Sequence, residues 1–353
     1  FYLEGQVALA TPGEDGDVHV LSSTQHPSET QMICAHVLGL PAHAVTVEVR
    51  RMGGGFGGKE TQGNLVAAGA ALAATVTGRP VKLRLDRDDD MAITGKRHDF
   101  VIDYACGFDG EGRILGARFV QKARCGWSLD LSSAICDRAM FHADNAYFYP
   151  AVEIESYRLR TNTVSNTAFR GFGGPQGTLG AERMIEHVAH TLGLDPLTVR
   201  RRNFYDREPG TRSVTPYHMR VEDNVIHAIV DELAESSDYA ARRGALDKWN
   251  TESPVLKRGL ALCPVKFGIS FTTTFLNQAG ALVHIYQDGS VMLNHGGTEM
   301  GQGLFVKVAQ VAASELGIDL DRIRITSTRT DKVPNTSATA ASSGSDMNGM
   351  AVR

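Results

Sequence analysis

The sequence predicts an α+β fold, in which hairpins and helices mix without strict strand–helix–strand repetition. Three observations predict it. A strand, a glycine loop, a helix and a second strand follow one another between Val45 and Leu85. Two hairpins are marked by Asp109-Gly110 and Asp288-Gly289. Helical stretches lie between and after them rather than alternating with every strand.

In chain order, Val18–Leu21 reads as a strand, and Ser28–Leu38 as a helix with Ser28 capping and Glu29 in the first turn. Val45–Arg51 alternates as a strand, and the run Gly53–Gly58 follows it. Thr61–Val76 is Ala-rich and helical, closed by Gly78 and Pro80, and Val81–Leu85 is a strand. Phe100–Phe108 and Arg113–Gln121 flank the first Asp-Gly turn, and Val152–Thr161 is a further strand. A long helix covers 176–193, and Asp195-Pro196 supply the cap and first-turn proline of the next. Two more helices fall at 222–235 and 238–249. The pattern breaks at Thr251–Pro254, which sets an expected boundary between subdomains 1–253 and 254–353. The second part reads as a strand at 259–265, a hairpin of Ala281–Tyr286 and Ser290–His295, a helix at 300–316 and a strand at 323–328.

The 353 residues suffice for two domains. A net charge of −4 carries no basic footprint for nucleic acid or a membrane surface. No apolar run reaches the ~18 residues of a membrane span. Five cysteines, Cys34, Cys106, Cys125, Cys136 and Cys263, form no C-x-x-C pair, so they read as neither a disulfide framework nor an iron–sulfur or zinc ligand set. Scattered thiols predict a reducing compartment, the cytosol. The chain opens without Met or a signal peptide and stops just after a Gly/Ser-rich loop, so both ends are expected to be cut.

The 37 glycines exceed the ~7% usual in proteins, and they concentrate in four loops. These are Gly53–Lys59, Arg170–Gly177, Gly296–Gly303 and Ala340–Gly344. Glycine lets backbone N–H groups approach a ligand, and helix N-termini favour anions. Four such loops without basic excess predict a large phosphorylated cofactor held by backbone donors, although each alone also reads as a tight turn. Two familiar motifs nearly match. Gly53, Gly55 and Gly58 fit a dinucleotide fingerprint, but the first acidic candidate, Asp86, comes late, leaving an NAD-binding domain as a weak alternative. Gly53–Lys59 also fits a phosphate loop, but Glu60 stands where Ser or Thr would bind magnesium, which argues against an NTPase. His187 and His190 lack the zinc-protease order and read as ordinary helix-face residues.

The runs Arg51–Glu60, Asn166–Gly177 and His295–Gly303, with Lys266–Thr272 and Pro334–Ser337, resemble the molybdenum-cofactor domain of the xanthine dehydrogenase family along essentially the whole chain. The resemblance implies two mixed α/β subdomains around a molybdopterin cofactor. It implies oxidation of hypoxanthine and xanthine to urate, with oxygen from water. Electrons would leave through [2Fe–2S] clusters and FAD, in domains or subunits not in this chain, to NAD, and the complete enzyme would be a dimer. It places Gln25 as a hydrogen-bond donor beside molybdenum, Phe56, Gly57, Ala340 and Ala341 around the metal, Arg170 near the cofactor and Gln302 on the pterin, with no side-chain thiolate ligand.

By the same resemblance Glu60 and Arg138 become the substrate pair. A carboxyl can hydrogen-bond a ring N–H and select a tautomer, while a guanidinium can hold a carbonyl and stabilise the negative charge that builds on the ring. Phe172 and Phe271 would sandwich the ring, and Thr272 would bond its edge. Without the resemblance, Glu60 reads as a first-turn carboxylate, Arg138 as a surface partner of Asp137 or Asp144, and the two phenylalanines as core. Aldehyde oxidases of the family lack this charged pair, so its presence favours purines. One departure is expected to matter: the family's general base is a glutamate in a Gly-Glu-Pro-Pro stretch. This chain has none, and Arg207–Gly210 is the nearest spelling. An aldehyde-oxidising relative and a non-catalytic cofactor-binding fragment are therefore the competing readings.

Overall fold

A computed structural model describes residues 2–207, 210–268, 271–272, 274–340 and 343–353. The first segment runs β1 (Val7–Pro12), β2 (Val18–Ser22), α1 (Pro27–Leu38), β3 (Val45–Val49), α2 (Gly63–Thr77), β4 (Val81–Arg84) and α3 (Arg87–Ile93). Its mixed sheet has the order β11-β3-β2-β1-β4, where β11 (Thr328–Arg329) arrives from far along the chain. β2 and β3 alternate buried and half-buried residues, as strands with one covered face do. α1 and α2 cover that face. The alanines of α2, among them Ala67, Ala70, Ala71 and Ala74, let it lie close against Ala8, Ala10, Val20 and Val47. Gly78 closes α2 in the left-handed conformation, as the sequence predicts.

A second sheet, β5-β6-β7, comprises β5 (Phe100–Phe108), β6 (Ile114–Gly126) and β7 (Val152–Arg160). α4 (Ser132–Phe141), α5 (Gly174–Leu192) and α6 (Pro196–Asn203) belong to this region. α5 buries Met184, Ile185 and Val188 against Phe119 and Tyr149, each such side chain contributing about 1.5–3 kcal/mol. Asp195 caps α6 by accepting from Leu197 N at 2.8 Å, as expected. α7 (Ile226–Ser236) and α8 (Tyr239–Glu252) follow. The third sheet has the order β10-β9-β8, with β8 (Ala281–Ile285), β9 (Val291–His295) and β10 (Ile323–Ile325). It packs on α9 (Leu304–Leu316) and α10 (Gly344–Val352) through Leu293, Leu304 and Val308.

Several expectations are corrected. Ser28 lies inside α1 rather than capping it, and its hydroxyl instead accepts from Thr336 N at 3.0 Å. Residues 259–265 form no strand: Leu262 reaches the core, but the segment makes side-chain bonds in place of a ladder, such as Arg243 to Leu260 O. The strand expected at 323–328 divides between β10 and β11 of different sheets. The dinucleotide reading fails because only β2 and β3 are parallel in the first sheet, and Asp86 caps α3 by accepting from Asp89 N at 2.8 Å.

Candidate active site

Loop 51–60 leaves β3 and folds back before α2 begins. Phe56 and Gly57 both take positive φ, 58° and 95°. A Cβ on Gly57 would meet the Ala168 carbonyl carbon and oxygen at 2.9 Å, so only glycine lets this loop touch the segment before Arg170. Arg170 N donates to Phe56 O at 2.8 Å, which docks the second glycine loop on the first. The third loop joins them: Met52 N donates to Glu299 O at 3.0 Å, and a Cβ on Gly55 would sit 2.9 Å from Met300 Sδ.

Gln25 is the centre of this assembly. Its Oε1 accepts from Gly57 N at 2.8 Å and Lys59 N at 3.3 Å, and its Nε2 donates to Thr339 O at 3.0 Å. A side-chain amide has two N–H donors, so this bond leaves the second to other partners. Phe56 is 39% exposed and Ala340 half-buried. Arg170 is exposed, and its carbonyl accepts from Arg97 Nη2 at 2.6 Å. Gln302 braces its own loop, accepting from Met300 N at 2.7 Å and donating to Thr298 O at 2.9 Å. Glu299, unforeseen in the sequence, accepts from the N–H groups of Gly301, Gly303 and Phe305 at 2.9–3.0 Å. Burial raises its pKa, but those donors outweigh it and leave the carboxyl below its ordinary value. Ala341 lies outside the described residues, as do Glu208 and Pro209 of the Arg207–Gly210 spelling.

Lys59 does not face a ligand. It is fully buried, its Nζ 3.0 Å from Glu4 Oε1 and 2.8 Å from Ser23 Oγ, which disposes of a phosphate-loop role.

A cavity of about 470 Å³, open to solvent, is lined by His26, Glu29, Glu60, Thr61, Leu131, Phe271, Asn277, Ala338, Ala340 and Ser343. Glu60 is 5% exposed. Burial pushes its pKa up to about 8, with the charges of Asp130 and Glu29 adding to the rise. Arg138 is buried on α4 but stands outside the cavity lining. Its guanidinium donates to Gly268 O and lies 4.6 Å from the Phe267 ring centre, and burial lowers its pKa. Asp137 and Asp144, the surface partners weighed from sequence, are engaged by Arg158 and Lys266. Phe172 and Phe271 touch each other, ring centres 5.3 Å apart and tilted 48°, so no ring lies between them here. Thr272 reaches Ala134 O through a long 3.5 Å contact. The structure thus gathers Gln25, Phe56, Gly57, Arg170 and the 339–340 segment, and separately Phe172 with Phe271. It does not bring Glu60 and Arg138 into direct contact.

The arrangement brings three glycine loops and the 339–340 segment around Gln25, polar backbone of the kind a large cofactor uses. Among the described residues no group of three or more His, Cys, Asp or Glu could hold a metal ion. Open space flanks the third loop: a Cβ on Gly301 or Gly303 would meet nothing within 4 Å, while their N–H groups are already given to Glu299. A small second recess shares Ala338 and Ser343 with the first cavity and is lined by Gly296, Gly297, Thr339 and Asn348.

A family model for the molybdopterin cofactor-binding domain matches residues 1–204, and a second so described matches 232–353. The chain belongs to this family of molybdopterin cofactor-binding domains. Along its whole length it is similar to xanthine dehydrogenase of Drosophila pseudoobscura pseudoobscura, 49% identical over 352 residues, and to xanthine dehydrogenase/oxidase of Felis catus, 49% identical over 353. It spans 26% of the length of each. Among solved structures, quinoline 2-oxidoreductase from Pseudomonas putida 86 superposes with a TM-score of 0.85 at 25% identity, covering 99% of this chain and 46% of that one. Aldehyde oxidoreductase from Desulfovibrio gigas gives 0.80 at 24% identity, covering 100% and 38%, and shows the α+β fold.

Proposed function

We propose that this chain is the cofactor- and substrate-binding part of a molybdenum hydroxylase that oxidises hypoxanthine to xanthine and xanthine to urate. Oxygen comes from water, and electrons pass through [2Fe–2S] clusters and FAD in other domains or subunits to NAD. The observation that carries this reading is a buried carboxyl, Glu60, set in a cavity wall immediately after a glycine loop tied to two others. Near-half identity along the whole chain to proteins named xanthine dehydrogenase supports it. A dimeric cytosolic enzyme fits the same reading; among the described residues no helix is long and apolar enough to cross a membrane. We read the division near 253 as the subdomain boundary, since α8 ends at Glu252.

The cofactor, when bound, supplies the centre that takes up the electrons removed from the substrate carbon. Gln25, the backbone of Phe56 and Gly57, Arg170, Gln302 and Ala340–Ala341 are the residues that would hold it. Glu60, with its raised pKa, is an acid at neutral pH, able to donate to a ring nitrogen and accept from a ring N–H. Arg138 would exchange the Gly268 carbonyl for a substrate carbonyl and stabilise charge developing on the ring. Phe172 and Phe271 would part to admit the ring and exclude water. Thr272 would bond the substrate edge. The test is turnover of xanthine against a simple aldehyde by the complete, molybdenum-loaded protein. Preference for xanthine is expected. Preference for the aldehyde would favour the aldehyde-oxidising reading, and no turnover with either would favour a non-catalytic one.

A further inference from the structure

Asp130 was singled out by no motif, yet it ties together three segments of the chain behind the cavity, two of which line it. It sits in the loop between β6 and α4 with a left-handed φ of 45°. Its Oδ2 accepts from Thr61 Oγ1 at 2.6 Å and Gln62 Nε2 at 2.9 Å. Its Oδ1 accepts from Thr167 Oγ1 at 2.7 Å and Leu131 N at 2.7 Å. Thr61 and Gln62 directly follow Glu60, Thr167 opens the loop that carries Arg170 and Phe172, and Leu131 lines the cavity. Gln62 extends the tie, its Oε1 accepting from Gly95 N at 2.7 Å.

We propose that Asp130 is the positioning residue of this cavity: its carboxylate ties the segments carrying Glu60 and Leu131, which line it, to the loop that carries Phe172, and places a negative charge beside Glu60. The inference rests on the reading of Glu60 as the substrate-facing acid. Burial raises the Asp130 pKa above its ordinary value, and its four donors oppose that rise without cancelling it. Leu131 N–H and the Gln62 amide can only donate, one to each oxygen, and with the hydroxyls of Thr61 and Thr167 beside them this donor set favours the ionised form. The titratable groups facing Glu60 are then Asp130, Glu29 and His26, the last 3.2 Å from Glu29 and donating through Nε2 to Thr336 O at 3.1 Å. Asp130 and Glu29 both oppose ionisation of Glu60. Asp130 therefore performs a mechanical and an electrostatic task with one group.

The tasks separate experimentally. Asp130→Asn removes the charge and keeps the shape. Thr167→Val keeps the charge and cuts one tie. Xanthine binding to the complete protein freed of molybdenum, where no turnover occurs, is measured by calorimetry from pH 5 to 9. Ionisation of xanthine is common to every curve, so differences between variants report the protein. In Asp130→Asn, Glu60 ionises more easily, and the alkaline fall in affinity moves to lower pH by about one unit. In Thr167→Val, binding weakens severalfold with the fall in place. The same acid shift is expected in the alkaline limb of kcat/KM for the loaded enzyme. A fall that stays at the wild-type pH in Asp130→Asn, with or without uniform weakening, overturns the proposal. Wild-type binding by Glu60→Gln at every pH removes instead the underlying reading of Glu60.

Discussion

Glu60 and Arg138 are both buried charges, and the fold treats them in opposite ways. Glu60 sits at the end of a glycine loop whose backbone is tied by Gln25, and its carboxyl faces a cavity. Arg138 sits within a helix, its head donating to a carbonyl and stacked near a ring of the irregular segment 253–268. The anionic side is therefore tied in its backbone, with its carboxyl buried in the cavity wall, whereas the cationic side is held by contacts that a ligand would have to replace. A carboxyl can respond to burial by keeping its proton, but a guanidinium stays charged and must be given acceptors.

The largest effects should come from removing either member. In the complete enzyme, Glu60→Ala and Arg138→Ala should each cut kcat/KM for xanthine by roughly 10²-fold or more, since one transition-state contact is worth about 2–4 kcal/mol. Molybdenum content should stay near wild type, because neither residue is placed on the cofactor. Steady-state kinetics with metal analysis checks this, and undiminished turnover in either variant would break the pairing. Glu60→Gln sharpens the contrast: if the neutral acid is the working form, the amide should retain more activity than alanine does.

The next difference is one of pH. The pKa of Glu60 lies near 8 when folded against an ordinary 4.5, so the folded state keeps a proton that the unfolded chain gives up. Stability from this group is thus fully present below about pH 4.5 and falls as pH rises to about 8, by roughly 1.4 kcal/mol per unit. Glu60→Gln removes that slope. Its thermal midpoint in the complete protein should gain on wild type between pH 5 and 8 and level off above. Arg138→Met should show no such trend, because arginine does not titrate there. A parallel pH course for wild type and Glu60→Gln would mean that Glu60 is ionised and solvated.

How much of this was legible depended on the range of the interactions. The unit from β3 to β4 was readable because Gly78 and the alanines of α2 act locally. α4, which carries Arg138, was missed, since it has no side-chain cap to announce its start. The apolar run at 259–265 looked like a strand, but no neighbouring edge pairs with it. The cofactor loops could be recognised as ten-residue motifs. Asp130, His142 and Glu29 were not recognised, because their roles arise only from residues brought together across the fold. The bond from Asp130 to Thr61 spans 69 positions and that from His142 to Gly268 spans 126.

His142 supplies the smallest and most specific test of the cationic side. One turn after Arg138, at the C-terminal cap of α4, its Nδ1–H donates to Arg138 O at 2.8 Å, and its Nε2 accepts from Gly268 N at 3.2 Å. Gly268 O in turn accepts from the Arg138 guanidinium, so the Arg138 backbone, the imidazole, Gly268 and the Arg138 side chain close a ring. Only the neutral Nδ1–H tautomer satisfies both bonds, and burial lowers the His142 pKa in that direction, helped by the charges of Arg138 and Lys266. Replacing it by Leu should leave Arg138 present but less well placed. We expect kcat/KM for xanthine to fall about tenfold, in line with the loss of one or two neutral hydrogen bonds. Turnover of an aldehyde, which offers no ring carbonyl at that position, should change little. In the Arg138→Ala background the same substitution should cost nothing more, because the group it orients is gone. An equal loss on both substrates, or additive losses in the double variant, would make His142 a packing residue and leave Arg138 positioned by the helix alone.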